Sequence, residues 1–361
     1  MPLKFFSRKT PPQGPPSAGA ATAVPAGRDS PPGRAAKATP KRSRAATVVD
    51  VIKSTVGGGA VFEPSTRAVL DSDPLRQMLQ QHRYRAILDR QEEFVAHPGA
   101  RTIIEKAREA LELELSLVPA GSVTLTMTLN ETADRNEQEL EVDPYLMGIH
   151  AVTNERFQAF VDAGGYDDLD LWPRDIWPHL IEFVDLTGVS GPRYWRDGRH
   201  DRRLADHPVV GVCWYEAHAY STWLGLRLPR EAEWQMAASW RIRSEADVLR
   251  RFPWGDAMDR TRCNIWGSGL GETVPVDAFE SGAAPNNVLQ LIGNVWEWTN
   301  SDFEVSDDEG RRVFGEMAMK SIRGGAFDTY FELQATSNFR TGQASLGRTH
   351  NTGFRCAADL T

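Results

Sequence analysis

Two apolar stripes at helical spacing lie between residues 73 and 117, separated by the helix-breaking sequence His97-Pro98-Gly99. The stripes consist of Leu75, Met78, Leu79 and Ile87, and of Ile103, Ile104, Ala107, Leu111 and Leu115. Asp73-Pro74 supplies a start signal, because aspartate caps a helix and proline fits its first position. The pattern predicts a helical hairpin that packs on the main domain or on a partner.

From Leu117 onward the pattern changes to short strands, glycine and proline turns and a few helices. Residues 123–128 alternate between apolar and polar, as a half-buried strand does. Three helices are predicted further on, beginning near residues 153, 214 and 231. After about residue 240 helical periodicity disappears from the sequence. This mixture predicts an α+β fold with low regular secondary structure.

Composition divides the chain into the same parts. Nine of the 22 prolines lie in residues 1–40, whereas all eleven tryptophans lie between Trp172 and Trp298. We predict a disordered Pro/Ala/basic tail over 1–46, a short strand and the helical hairpin over 47–116, and the main domain over 117–361. The tryptophans are expected in the core, because each buries about 200 Å² from one position.

Charge separates the tail from the body. Residues 1–44 carry nine basic residues and one acidic residue, whereas the whole chain has a formal net charge of −8. A body this acidic is a poor match for a phosphate backbone, so nucleic acid is not an expected partner apart from the basic tail.

The three cysteines, Cys213, Cys263 and Cys356, form no CxxC pair and no even framework. Neither a disulfide scaffold nor a zinc site is therefore expected. Apolar runs fall well short of the roughly 18 residues of a membrane span. The first residues lack the apolar core of a secretory signal. We expect no membrane contact and a cytoplasmic location.

A series of short motifs follows in order after residue 117. They are Leu117-Val118-Pro119-Ala120-Gly121, Asp143-Pro144-Tyr145, Val152-Thr153-Asn154, His207-Pro208-Val209-Val210-Gly211-Val212-Cys213-Trp214-Tyr215-Glu216-Ala217, Arg227-Leu228-Pro229-Arg230-Glu231-Ala232-Glu233-Trp234, Phe252-Pro253-Trp254-Gly255-Asp256, Gly293-Asn294-Val295-Trp296-Glu297-Trp298-Thr299, Arg323-Gly324-Gly325 and Gly353-Phe354-Arg355. In content and order, residues 117–356 resemble the formylglycine-generating enzyme (sulfatase-modifying factor) family. The resemblance implies a fold related to the C-type lectin domain.

The glycines of these motifs have a physical interpretation. Gly324-Gly325 would let one backbone segment approach another closely. Gly293 lies beside an aromatic run, where a side chain would crowd the tryptophan rings. We therefore interpret these motifs mainly as scaffold.

The resemblance implies structural calcium at two places. One would use Gln290, the carbonyls of Gly293 and Val295, and the carboxylate of Glu297, since hard oxygen ligands suit calcium. The family has asparagine at the position of Gln290. The other place would use the side chain of Asn264 and the carbonyl of Ile265. Its further ligands would come from a loop that is shortened here and lacks aspartate.

The enzymes of this family that make formylglycine hold Cu(I) with two cysteines, because soft thiolates select that ion. Glu332 and Ser337 occupy those positions here, and neither is a soft ligand. Copper is therefore not expected. Iron is not expected either, because residues 1–116 lack the H-x3-H-x-E motif of the sulfoxide synthases of the same family.

Two functions remain open. The first is a family domain that lacks the copper cysteines and serves as a binding or accessory module, with a protein or peptide as ligand. The second is an oxidoreductase with an altered active site, acting on a protein or small thiol. The segment between the RGG and GFR motifs forms the binding face in related receptors. The predicted ligand cleft consists of Asp328, Tyr330, Glu332, Ser337, Asn338 and Arg340. The sequence leaves the oligomeric state open.

Overall fold

The computed structural model describes residues 73–126, 137–240, 250–306, 312–313 and 318–360. The tail predicted over 1–46 and the strand predicted within 47–70 lie outside these residues. Within the described ranges the chain has six α-helices and eleven strands. The α+β class predicted from the sequence is confirmed. None of the described helices combines the length and the apolarity that crossing a membrane requires.

The helical hairpin contains three α-helices rather than two. They are α1 (Pro74–Gln80), α2 (Tyr84–Asp89) and α3 (Ala100–Glu114). Asp73 caps α1 as predicted, its carboxylate accepting from the N–H of Leu75 at 3.0 Å. The first apolar stripe is divided because His82 adopts φ 58°, which ends α1 and turns the chain into α2.

The hairpin packs directly on the main domain. The N–H of Ala86 donates to the carbonyl of Leu224 at 3.1 Å, and Arg83 Nε donates to the carbonyl of Trp223 at 2.9 Å. Gly225 allows this approach, since a Cβ there would lie 2.9 Å from the nitrogen of Ala86. Of the two contacts predicted for the hairpin, the structure shows the one with the main domain.

Three further helices belong to the main domain. They are α4 (Asn154–Asp162), α5 (Trp214–Trp223) and α6 (Glu231–Ser239). The predicted starts agree closely with these bounds. Thr153 caps α4 through the N–H of Arg156, and a glutamate in the first turn of α5 and of α6 accepts from the backbone N–H that precedes the helix. After Trp240 the described residues contain strands and 3₁₀ turns but no α-helix.

The strands form two larger sheets and two ribbons. Their bounds are β1 (Leu115–Val118), β2 (Gly121–Thr126), β3 (Glu137–Val142), β4 (Tyr145–Gly148), β5 (Trp296–Asp302), β6 (Val305–Ser306), β7 (Arg312–Val313), β8 (Met319–Arg323), β9 (Thr341–Ala344), β10 (Thr352–Gly353) and β11 (Ala357–Asp359). One sheet has the order β1-β4-β11 and is antiparallel, and the other has the order β10-β5-β8-β9. Only the β10-β5 pair of the second sheet is parallel. The two ribbons are β2-β3 and β6-β7.

Aromatic side chains fill the core, as predicted for most tryptophans. Trp234 and Trp298 are fully buried, and Trp214 and Trp296 are buried as well. Trp266 and Trp177 are exceptions, because they are 57% and 38% exposed. Trp254 is half-buried in the wall of a cavity.

Gly324 allows a close approach of two backbone segments, as predicted. Gly293 also has no room for a side chain, but the predicted cause, crowding of tryptophan rings, is wrong. A Cβ at Gly324 would lie 2.6 Å from the carbonyl oxygen of Leu291. A Cβ at Gly293 would lie 2.5 Å from the carbonyl oxygen of Asn264, so backbone rather than tryptophan rings excludes a side chain there. Both glycines also have positive φ.

Candidate functional site

Ser337, at the position of one copper cysteine, is buried in a filled part of the core. Its hydroxyl donates to the carbonyl of Arg250 at 2.6 Å, and its N–H donates to the carbonyl of Arg251 at 2.8 Å. Its own carbonyl accepts from Arg323 Nη2 at 2.7 Å. Ser337 therefore joins backbone segments and lines no open cleft.

Glu332, at the other copper-cysteine position, lies at the surface and begins a 3₁₀ turn, Glu332–Gln334. Its Oε1 accepts from Arg260 at 2.8 Å (Nε) and 2.6 Å (Nη2). Arg260 also lies against Gly267, where a Cβ would come within 2.9 Å of Nε. The Arg260–Glu332 ion pair therefore connects this turn to a second one, Trp266–Ser268.

These residues do not fit Cu(I). The carboxylate of Glu332 is engaged by Arg260, and the hydroxyl of Ser337 donates into the core, so no soft donor faces a common point. The three cysteines are buried elsewhere, and burial raises the pKa of Cys263 and of Cys356 to about 12. Burial also raises the pKa of Cys213. They are therefore thiols at neutral pH rather than thiolate ligands.

The other residues of the predicted ligand cleft separate into buried and exposed positions. Arg340 is half-buried, with 9% of its side chain exposed, and is bound to Glu231, with Nη2 2.9 Å from Oε2. Asn338 is exposed, and its Oδ1 accepts from the hydroxyl of Thr336. Asp328 is half-buried and pairs with His350 at 3.1 Å, and Tyr330 is 68% exposed. Of the residues predicted for the cleft, Ser337 is buried and the guanidinium of Arg340 is bound to Glu231. The others are at least partly exposed, and a ligand site at these residues stays a prediction.

Large apolar side chains cluster at the surface beside Glu332. We define the aromatic surface as Trp266, Tyr330, Phe331 and Leu333, of which Tyr330, Phe331 and Leu333 are 68%, 63% and 61% exposed. The ring centroids of Trp266 and Tyr330 are 6.3 Å apart, and those of Tyr330 and Phe331 are 5.2 Å apart. The rings therefore form one continuous exposed group.

The sequence predicts Tyr330 in the ligand cleft but Trp266 in the core. The two residues meet because the N–H of Trp266 donates to the carbonyl of Thr329. A signal was present in the sequence, since glycines at 267, 269 and 271 follow Trp266 and mark an exposed loop.

A surface cavity of about 710 Å³ adjoins the aromatic surface. Its lining consists of Trp254, Asp256, Ala257, Met258, Asp259, Arg260, Arg262 and Glu332. Glu332 lies between Phe331 and Leu333 in sequence, so the cavity and the aromatic surface share a border. No group of three or more histidine, cysteine, aspartate or glutamate side chains suited to a metal occurs within the described ranges.

The first predicted calcium set surrounds a buried ion pair. Arg355 donates to both carboxylate oxygens of Glu297, with Nη2–Oε1 2.7 Å and Nε–Oε2 2.8 Å. Trp234 Nε1 donates to Oε2 at 2.8 Å, and both charged side chains are at most 1% exposed. The side-chain oxygen of Gln290 accepts from Asn294 at 2.7 Å, and the carbonyl of Gly293 accepts from the N–H of Val295.

The second predicted set is also internally satisfied. The carbonyl of Ile265 accepts from the N–H and the hydroxyl of Ser268, at 2.9 and 2.7 Å. The side-chain oxygen of Asn264 accepts from the same hydroxyl at 3.1 Å. In both sets, protein donors engage the side-chain oxygens and the carbonyls of Gly293 and Ile265 that calcium would need, so these residues as arranged do not fit the ion. Calcium binding stays a prediction.

A buried charge network supports the segment between the RGG motif and β9. Glu231 accepts from Arg323 at 3.0 Å, from Arg340 at 2.9 Å and from the hydroxyl of Ser321 at 2.7 Å. Burial lowers the pKa of Arg323 to about 10. Because Arg323 also donates to the carbonyl of Ser337, the network connects α6, β8 and the segment that carries the aromatic surface.

Comparison with known proteins shows the family to which this chain belongs. The model of the sulfatase-modifying factor enzyme 1-like domain matches residues 100–360. The chain therefore belongs to this family, as the motifs predicted. The match begins with α3, whereas the sequence pattern predicts a main domain that begins at residue 117.

Individual relatives are named as enzymes and as an inactive homologue. The chain is 34% identical over 197 residues to the hercynine oxygenase of Mycolicibacterium smegmatis, covering 51% of this chain and 45% of that protein. It is 32% identical to the formylglycine-generating enzyme of Thermomonospora curvata, covering 61% of this chain and 84% of that protein. It is 29% identical to the inactive C-alpha-formylglycine-generating enzyme 2 of Bos taurus, covering 61% of this chain and 79% of that protein. The chain spans less than half the length of the hercynine oxygenases it matches.

Proposed function

We propose that this chain is a protein-binding module of the sulfatase-modifying factor family and binds an apolar peptide segment through its aromatic surface. The observation that carries the proposal is the exposure of Trp266, Tyr330, Phe331 and Leu333 as one group. Isolated exposed apolar residues are ordinary, but a contiguous exposed patch is typical of an interaction site. Aromatic side chains are also enriched where binding energy concentrates.

The surroundings of the aromatic surface support the same function. Two ion pairs include residues next to it in sequence. Glu332, between Phe331 and Leu333, pairs with Arg260, and Asp328, two residues before Tyr330, pairs with His350. An apolar centre with a polar border is the usual anatomy of a protein interface. The buried Glu231 network keeps the neighbouring segment in place, which limits the ordering entropy that binding would cost.

A selection from a phage-displayed library of random peptides tests this function. Peptides enriched on the wild-type protein are expected to bind at least about thirtyfold more weakly to the double variant Tyr330→Ala, Phe331→Ala, because interface hot spots contribute about 2 kcal/mol or more. Isothermal titration calorimetry measures the change. Leu113→Ala is the matched control, since Leu113 is 78% exposed on α3, away from the aromatic surface.

Two results would overturn the binding function. One is a library selection without enrichment. The other is a set of enriched peptides whose affinity is equal for the wild type and for the folded double variant, with circular dichroism establishing that the variant is folded.

An oxidoreductase is the second candidate, favoured by the similarity to a formylglycine-generating enzyme over 84% of that protein's length. A cysteine-containing peptide incubated with this chain, Cu(I) and oxygen tests it. We expect no aldehyde on capture with an aminooxy reagent, because Glu332 and Ser337 supply no thiolate. Aldehyde formation that depends on the chain would establish the enzyme and remove the main reason for a purely binding role.

A further inference from the structure

The cavity beside the aromatic surface has apolar walls that suit a methylene chain. The ring of Trp254 stacks on Phe252 with centroids 5.2 Å apart and planes 7° apart. Its Nε1 donates to the carbonyl of Ala257 at 3.1 Å, which holds the ring in place. Ala257 and Met258 extend the apolar lining. Long side chains with a polar end commonly lay their carbon stems along such walls.

The cavity is lined by three acidic and two basic side chains. Arg260 pairs with Glu332, and Arg262 pairs with Asp259 at 3.0 Å, so four of the five charged groups are matched. Asp256 is the remaining one. Its Oδ1 accepts from the N–H of Arg251 at 3.2 Å, and it has no ion-pair partner among the residues that the structure describes.

The side chain of Arg251, whose backbone N–H donates to Asp256, does not supply a counter-charge. The guanidinium of Arg251 lies over the ring of Phe252, 5.8 Å from its centroid, and the structure shows no ion pair between it and Asp256. Among the residues that the structure describes, the cavity therefore combines apolar walls with one carboxylate that has no ion-pair partner.

We propose that the cavity takes a lysine side chain of the segment bound to the aromatic surface, with Asp256 as the counter-charge of its ammonium group. This inference rests on the proposed binding function. The stem lies along Trp254 and Met258, and the bound segment reaches the cavity because Glu332 borders both places.

Lysine fits better than arginine because of the geometry of the acceptor. Arginine binds carboxylates best through two parallel hydrogen bonds, which require both oxygens. One oxygen of Asp256 already accepts the N–H of Arg251. An ammonium group is a point charge with rotatable donors and can approach the other oxygen alone.

The test uses peptides obtained from the library selection. For each lysine-containing peptide, versions with norleucine or arginine in place of the lysine are titrated against wild type, Asp256→Asn and Asp143→Asn. Asparagine at 256 keeps the oxygen that accepts from Arg251, and Asp143 is an exposed aspartate outside the cavity.

We expect wild type and Asp143→Asn to bind the lysine peptide about fivefold more tightly than the norleucine peptide, as a partly exposed ion pair would give. The preference should disappear in Asp256→Asn, and the arginine peptide should bind more weakly than the lysine peptide to wild type. Added salt should reduce the lysine preference.

The inference fails if enriched peptides lack basic residues, if the lysine preference survives in Asp256→Asn, or if arginine binds as tightly as lysine. The experiment distinguishes a failure of the lysine site from a failure of the proposed binding function. Peptides that depend on Tyr330 and Phe331 but not on Asp256 leave that function standing and remove only the lysine site. A library without binders removes both.

Discussion

Replacing Glu297 with glutamine is expected to lower the free energy of unfolding by about 3–5 kcal/mol, because it leaves a buried guanidinium without its counter-charge. Arg355 is fully buried and donates to both oxygens of Glu297. Its remaining donors engage the carbonyls of Gly148, Ile149 and Leu289, so it cannot turn towards water without exposing those groups. A domain with a total stability of about 5–15 kcal/mol loses a large fraction of it.

Urea denaturation measures this effect as a lower midpoint with an unchanged slope. Glu105→Gln is the matched control, because its partner Arg101 is 93% exposed and surface pairs contribute less than about 1 kcal/mol. A similar small loss in Glu297→Gln would contradict a structural role for the Glu297–Arg355 ion pair.

The same unfolding experiment tests calcium. A bound ion would raise the midpoint in calcium relative to chelator, since a ligand of the native state stabilises it. We expect equal midpoints for the wild-type protein, because Arg355 supplies the positive charge beside Glu297. A higher midpoint in calcium would show that the ion displaces these internal hydrogen bonds and would confirm the prediction from the family resemblance.

Glu231→Gln is expected to cost a similar amount, about 3–5 kcal/mol at neutral pH, because Arg323 is fully buried and loses its carboxylate partner. Burial alone would raise the pKa of Glu231, but Arg323, Arg340 and the hydroxyl of Ser321 lower it, so the pKa lies below its usual value. The ionised carboxylate therefore stabilises the folded state above the unfolded pKa. That contribution is lost as the pH falls through the folded pKa.

Unfolding curves at neutral pH and in the acid range, below the usual carboxyl pKa of about 4.3, check this direction. The wild type should lose stability towards acid more steeply than Glu231→Gln, so the difference between the two proteins should shrink. A difference that stays constant or grows towards acid would contradict the assigned pKa direction. Glu105→Gln again serves as the surface control.

Loss of the Glu231 network also has a local consequence. Arg323 holds the carbonyl of Ser337, and Arg340 leaves the same segment to reach Glu231. The aromatic surface lies a few residues earlier, on residues 330–333. We therefore interpret Ser337 and Arg340 as residues that hold the segment carrying the aromatic surface in place.

The sequence by itself determined the family, the α+β class and the starts of the three helices in the main domain. These features depend on the type of residue at each position. Threonine is a favoured helix cap, and Thr153 caps α4. Glycine is needed at position 324, because a Cβ there would clash with the carbonyl of Leu291. The absence of copper cysteines was likewise readable, because ligand identity is a property of residue type.

Only the tertiary structure decided which candidate residues face solvent. Glu332 and Ser337 are five residues apart, yet one is at the surface and the other is in the core. Trp266 and Tyr330 are distant in sequence and meet through two loops that lack a regular period, so no pattern along the chain places them together. The pairing of Glu297 with Arg355 depends on the same long-range folding, because the two residues are 58 positions apart in the sequence.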